Sequence, residues 1–166
     1  MIILGIDPGY AIVGYGVVDY TANHFMVLDY GAVTTQAKTP FLQRLDEIYE
    51  GMTYLMERFS PDVMSIEKLF FNTNTTTAMD VAQARGVIML AAQKHGLTVG
   101  EFTPLQVKQS VVGYGRAEKK QVQEMTRLLL NLDAIPKPDD TADALAMAIC
   151  YAHSAGSMLG RLNQKK

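Results

Sequence analysis

In the first 35 residues the hydrophobic positions form short blocks and alternations; further on they recur mostly every three or four positions. Ile2-Ile3-Leu4-Gly5-Ile6 is an apolar, largely β-branched run stopped by Pro8-Gly9, the pattern of a strand covered on both faces. Ile12 to Tyr20 predicts a second strand, with Gly14 and Gly16 on one face and Val13, Tyr15 and Val17 on the other. Alternate glycines strip that face of side chains and let another backbone approach. His24 to Thr34 predicts a third strand, and the short turns between the three imply an antiparallel meander.

Thr39 and Pro40 read as the cap and first-turn proline of a helix carrying Leu42, Leu45, Ile48, Tyr49, Met52, Leu55, Met56 and Phe59 at helical spacing. After Ser60-Pro61, the stretch Asp62 to Glu67 predicts a fourth strand, parallel to the first because a helix intervenes. A loop follows, then a long helix from Thr75 to His95 whose apolar residues cover nearly its whole circumference. Such a helix is covered on more than one side, either as a central core helix or by a second subunit. His95 and Gly96 are its stop. Leu97 to Phe102 is a fifth strand, Thr103-Pro104 opens a short helix to Val112, and Glu118 to Leu130 is another amphipathic helix. Ile135-Pro136-Lys137-Pro138 is a rigid connector, and Pro138 and Asp139 start a last helix rich in alanine. The expected domain is 1–155, with 156–166 a mobile basic tail.

Composition changes this picture little. With 166 residues, 48% hydrophobic and 19% charged, the chain is long enough for one globular core and too apolar for disorder. No apolar run approaches the roughly 18 residues of a membrane span. Without a basic leader ahead of the first strand, and with one cysteine, Cys150, the expected compartment is a reducing cytoplasm. The net charge of −2 argues against a general nucleic-acid binder, unless the acids are gathered in a metal site where cations neutralise them.

The acids are placed for that. Asp7 ends the first strand and Glu67 the fourth, so two parallel strands of one sheet bring both carboxylates to one edge. Asp140 and Asp143 are three apart and share a face of the last helix's first turn. The helix dipole explains one acid there; two on one face exceed capping. No phosphate-binding Gly-rich loop and no zinc spacing is present, and His153 and Cys150, three apart on an apolar helix, give a nucleophile no believable partner. A cluster of carboxylates alone suits hard divalent ions such as Mg2+ or Mn2+. Two such ions about 3.5–4 Å apart form the clamp of phosphodiester hydrolysis. Lys108, Arg116, Lys119 and Lys120, with Arg127 beyond, concentrate positive charge between the fifth strand and the last helix.

This order of elements resembles the ribonuclease H-like fold: an α/β five-stranded mixed sheet, antiparallel meander plus parallel strands, with helices on both faces. More narrowly, the chain resembles the RuvC-type Holliday junction resolvases. The resemblance rests on Gly5-Ile6-Asp7-Pro8-Gly9, Ile66-Glu67 with Phe70, Gln83-Ala84-Arg85-Gly86, Gln106 to Gly113, Ala117-Glu118-Lys119 and Asp140 to Ala146. It implies a Mg2+-dependent crossover junction endodeoxyribonuclease that resolves four-way DNA junctions by paired nicks in recombination and repair. Its catalytic, metal-holding tetrad would be Asp7, Glu67, Asp140 and Asp143, with two Mg2+ per site and Mn2+ able to substitute. It further implies that Phe70 stacks at the junction centre, that Lys108 and Lys119 contact the DNA backbone, and that the branch-migration proteins RuvA and RuvB are partners. Arg116 and Lys120 join the DNA-binding set from the basic cluster. Two symmetric nicks call for a homodimer, with the Ala78 to Ala92 helix as its expected seam. An actin-like ATPase is a poor rival, since it needs two such domains, and a plain ribonuclease H would not explain Phe70 or the basic cluster.

Overall fold

The computed structural model describes residues 1–69 and 75–156. Five strands form one sheet in the order β3-β2-β1-β4-β5. β1 (Ile2–Asp7), β2 (Ile12–Thr21) and β3 (His24–Thr34) make the antiparallel meander. β4 (Val63–Glu67) pairs with β1 in parallel, and β5 (Thr98–Phe102) pairs with β4 the same way. The α/β architecture and the mixed sheet expected from the sequence are what the chain adopts.

Strand alternation sends successive side chains to opposite faces. Leu4, Ile6, Val13, Val17, Met64 and Ile66 go to one core, under α1 (Phe41–Phe59) and α2 (Thr75–Lys94). Ile3, Val18 and Val63 go to the other, under α3 (Pro104–Val112), α4 (Lys119–Leu129) and α5 (Asp139–Gly156). Helices therefore cover both faces. The central helix is α5: from Thr141 to Ala152 every residue but Asp143 is buried.

The glycines and alanines explain how α5 fits. A Cβ on Gly5 would lie 2.1 Å from the Ala144 carbonyl oxygen, and one on Gly14 would lie 2.1 Å from that of Asp140. A Cβ on Gly16 would meet the Leu145 side chain at 2.6 Å. The bare strip along β1 and β2 is the bed on which α5 lies. Ser65 Oγ adds a hydrogen bond of 2.7 Å to the Met147 carbonyl.

Three expectations are corrected. Thr39 does not cap α1. Its N–H is spent on Gln36 in a turn, and Pro40, with ψ of 140°, stands at the cap position without a side-chain bond. Leu42, expected on the buried face, is 78% exposed in the first turn of the helix. α2 is not a central core helix: Ala84, Ile88, Ala91 and Ala92 are buried against α1 and the sheet, while Met79 and Leu90 are open. Thr103 caps α3 as expected, in a reciprocal capping box with Gln106. His95 closes α2, its Nδ1 2.8 Å from the Ala91 carbonyl. Phe70 and the tail beyond Gly156 lie outside the described residues.

Candidate active site

Asp7 and Glu67 occupy equivalent ends of neighbouring parallel strands, one step beyond the paired Ile6 and Ile66. Both follow the alternation Ile3, Gly5, Asp7 and Val63, Ser65, Glu67, so both face α5. α5 supplies Asp140 and Asp143 from its first turn, and the close approach at Gly14 fixes the height of Asp140 over β2. Asp7, Glu67 and Asp143 line a cavity of about 190 Å³ together with Pro104, Val107, Lys108, Lys119, Val122, Ala146 and Met147. Asp140, three residues earlier on the helix, is not among the lining residues.

The electrostatics show how close these acids are. Burial pushes the Asp7 carboxyl up to about 8, and the charges of Asp143, Glu67 and Asp140 add to the shift while Lys119 opposes it. Glu67 is raised by burial and then by Asp143. Asp143 is also raised by burial, against the pull of its hydrogen bond with Lys119. Crowded, desolvated carboxylates of one sign favour the protonated form and bind a cation that relieves the repulsion. The donor set is carboxylate oxygen throughout, which fits a hard divalent ion and not zinc.

Among the described residues no three such groups converge on a single point. Lys119 Nζ lies 2.7 Å from Asp143 Oδ2, so one of the acids is engaged with an ammonium from α4. The acids and this internal counter-ion share one cavity. Asp139, which directly precedes Asp140, has its Oδ1 2.5 Å from Lys137 Nζ and its Oδ2 3.9 Å from Lys119 Nζ, and the Lys137 pairing foremost lowers its carboxyl from the usual value.

A model of the family described as crossover junction endodeoxyribonuclease RuvC matches residues 3–151. The chain belongs to the RuvC family. A RuvC from Alkaliphilus metalliredigens is 63% identical over 154 residues, covering 93% of this chain and 94% of the relative. One from Ruminiclostridium cellulolyticum is 60% identical over 162 residues, covering 96% and 98%. The fold matches the Thermus thermophilus RuvC structure with a TM-score of 0.87 at 35% identity, over 93% of this chain and 95% of that one. It matches T. thermophilus RuvC in complex with a Holliday junction substrate equally well, with a TM-score of 0.87 at 31% identity, over 96% and 98%.

Within this RuvC-family fold the basic residues divide. Lys108 and Lys119 line the acidic cavity from α3 and from the start of α4. Arg116 is exposed in the link between those helices. Lys120 points away from the acids, into a shallow depression with Val112, Gln121, Glu124, Met125 and Leu128. Sequence reasoning placed Lys119 on the DNA side only and missed its pairing with Asp143, which only the packing of α4 on α5 reveals. It also missed Arg85, whose Nε donates to the Glu67 carbonyl at 3.1 Å. His153, which the sequence pairs with no nucleophile, meets Ser110: its Nδ1 is 3.0 Å from the Ser110 carbonyl and 3.3 Å from its Oγ. That contact ties α3 to α5. The neighbouring Cys150 thiol is pushed up to about 11 by burial and is no nucleophile.

Proposed function

We propose that the chain is a metal-dependent endonuclease that resolves four-way DNA junctions, with Asp7, Glu67, Asp140 and Asp143 as the acids that hold divalent ions. The observation that carries this reading is one cavity lined by Asp7, Glu67 and Asp143 together with Lys108 and Lys119, where burial and the neighbouring acids push the Asp7 carboxyl up. An isolated structural acid has no reason to be crowded by three more. Mg2+, two per site, is the expected occupant, with Mn2+ as a substitute. Such ions, when bound, supply an activated water and neutralise charge on the leaving oxygen of a phosphodiester.

The protein's own residues set the stage. Asp7 and Glu67, fixed by the sheet, keep a constant separation, while Asp140 and Asp143 ride on α5. Asp7 would hold a cation in its deprotonated form. Lys108 and Lys119 meet the phosphates that flank the scissile bond, and Arg116 and Lys120 extend the positive surface outward. Phe70, which directly follows the described part of the loop after β4, is assigned to stacking at the junction centre, an interaction worth about 1–3 kcal/mol.

Two symmetric nicks require two such sites related by a two-fold axis. The open face of α2 supports a homodimer. Met79 is 65% and Leu90 52% exposed on it, and Gly86 lies between them with nothing within 4 Å of where its Cβ would be. Glycine in a helix interior costs about 1 kcal/mol relative to alanine, and nothing among the described residues accounts for it here. A second copy of α2 passing close at Gly86 does. RuvA and RuvB enter as partners through family membership alone. Among the described residues no helix is long and apolar enough to cross a membrane, and a cytoplasmic site of action follows from the DNA substrate.

Asp7→Asn tests the reading. The variant is expected to bind a synthetic four-way junction in gel shift and to leave it uncut with Mg2+, with duplex and RNA–DNA hybrid as controls. Cutting at the normal rate removes Asp7 from the chemistry and the proposed site with it.

A further inference from the structure

Glu67 is the last residue of β4, and beyond it the chain leaves the sheet. Its following peptide is gripped from both sides. The Lys68 N–H donates to the Phe102 carbonyl at 2.8 Å, continuing the ladder to β5. Among the described residues the Glu67 carbonyl meets no further strand; it accepts from Arg85 Nε at 3.1 Å. The same guanidinium is anchored through Nη2 in a short ion pair with the Glu101 carboxylate on β5. Arg85 therefore spans α2, the end of β4 and the end of β5 with one planar group. Its side chain is only 17% exposed, while the Glu101 carboxylate that anchors it is 39% exposed at the outer strand.

We propose that Arg85 is a positioning residue: by fixing the Glu67 peptide it sets the direction in which the Glu67 carboxylate enters the acidic cavity, and Glu101 locks Arg85 in that pose. The inference rests on the reading of Glu67 as a metal-holding acid and adds a residue that touches neither substrate nor ion. Arginine suits the task because its rigid fork can serve a carbonyl and a carboxylate at once. A lysine at the same place can reach one of them. The ends of parallel strands have dangling carbonyls, and a catalytic side chain on the last residue inherits any looseness of its own peptide. Residues that orient metal-holding side chains in this way typically change metal affinity or activity by about 10- to 100-fold when removed.

The test uses the full chain with a synthetic four-way junction, under single turnover, at varied Mg2+. Arg85→Ala is expected to lower the cutting rate about 10- to 100-fold and to raise the Mg2+ concentration for half-maximal rate, with junction affinity and the melting curve little changed. Arg85→Lys should recover part of the rate, and Glu101→Gln should show a smaller loss of the same kind. Glu67→Gln is run alongside. If Glu67→Gln cuts normally, the site assignment itself is wrong. If Glu67→Gln is inactive while Arg85→Ala cuts normally with an unchanged Mg2+ midpoint, the positioning role alone is overturned. Should Arg85→Ala fail to fold, Arg85→Lys and Glu101→Gln decide: an unshifted Mg2+ midpoint in both overturns the role.

Discussion

Lys119 Nζ lies 2.7 Å from Asp143 Oδ2, so a residue expected to face DNA phosphate is engaged with a proposed metal-holding acid. The pairing raises the Lys119 pKa, its hydrogen bond to Asp143 being the largest cause, and it partly offsets the crowding felt by Asp7 and Glu67. Divalent ions that take Asp143 would release the ammonium toward phosphate. Each phosphate contact contributes roughly 0.9 to the slope of log affinity against log salt. Lys119→Ala is therefore expected to reduce that slope by about 0.9 when junction binding is measured with Ca2+ present, and by clearly less in EDTA. Equal reductions in both conditions would show that Lys119 is free for DNA whether or not ions are bound.

The Asp7 carboxyl gives the metal-free protein a definite pH dependence. Its folded pKa of about 8 stands above the ordinary aspartate value of 3.8, so the folded state holds a proton that the unfolded chain has released. The stability tied to that proton is fully present below 3.8 and is lost as pH rises through about 8. Glu67 and Asp143, also raised by burial, act in the same direction. In EDTA the melting temperature is expected to fall between pH 5 and 8.5 by this contribution, and Asp7→Asn should flatten the fall. Saturating Mg2+ should flatten it too, because ions replace the proton. Parallel melting profiles for Asp7→Asn and the parent chain would mean that Asp7 is not the proton's site.

Glycine contacts under α5 predict a different kind of loss. A Cβ at Gly5 would stand 2.1 Å from Ala144 O and 2.8 Å from Ala148 N, both backbone atoms that cannot swing aside. Gly5→Ala should cost at least about 1–3 kcal/mol, read from the urea midpoint. Gly14→Ala meets the Asp140 carbonyl instead, so it should also lift the acid-bearing turn off the sheet. Its cutting rate, corrected for the folded fraction, should fall well below that of Gly5→Ala. A folded Gly14→Ala variant with full activity would separate the Asp140 position from catalysis.

Much of this was legible in the sequence, and the reason is local. The β-branched run stopped by Pro8-Gly9, the helix ended by Ser60-Pro61, the box Thr103 to Gln106, and the i, i+3 relation of Asp140 and Asp143 each act within a few residues. The alternation Ile3, Gly5, Asp7 even fixes which face the acid takes. Legibility stopped where one group chooses between distant partners. Whether Lys119 meets phosphate or Asp143, and that Arg85 reaches the Glu67 carbonyl, depend on how α4 lies on α5 and α2 on the sheet. Periodicity also overstated α2, since an apolar circumference does not say which side of a helix its own chain will cover. Thr39 failed as a cap because the local competition of a turn to Gln36 and the backbone of Pro40 outweighed side-chain preference.

The open face of α2 carries the last prediction. Met79, Gly86 and Leu90 recur at helical spacing, and the two large apolar members are more than half exposed in the single chain. Because Leu90 makes little use of its own chain's core, Leu90→Glu should leave the melting of the folded monomer nearly unchanged, surface substitutions typically falling within about 0.5 kcal/mol. In a dimer seam the same change buries two unpaired carboxylates across the axis, which costs several kcal/mol and splits the pair. Sedimentation should then report a monomer, and a plasmid-borne cruciform should accumulate nicked circles instead of the linear product of paired cuts. Gly86→Ala separates the seam from helix propensity. In a free monomer alanine gains about 1 kcal/mol of helix stability there, whereas a close-packed seam turns that gain into weaker association. If Leu90→Glu remains a dimer and still linearises the cruciform, the two-fold contact lies on another face of the molecule, and the glycine at 86 needs a different explanation.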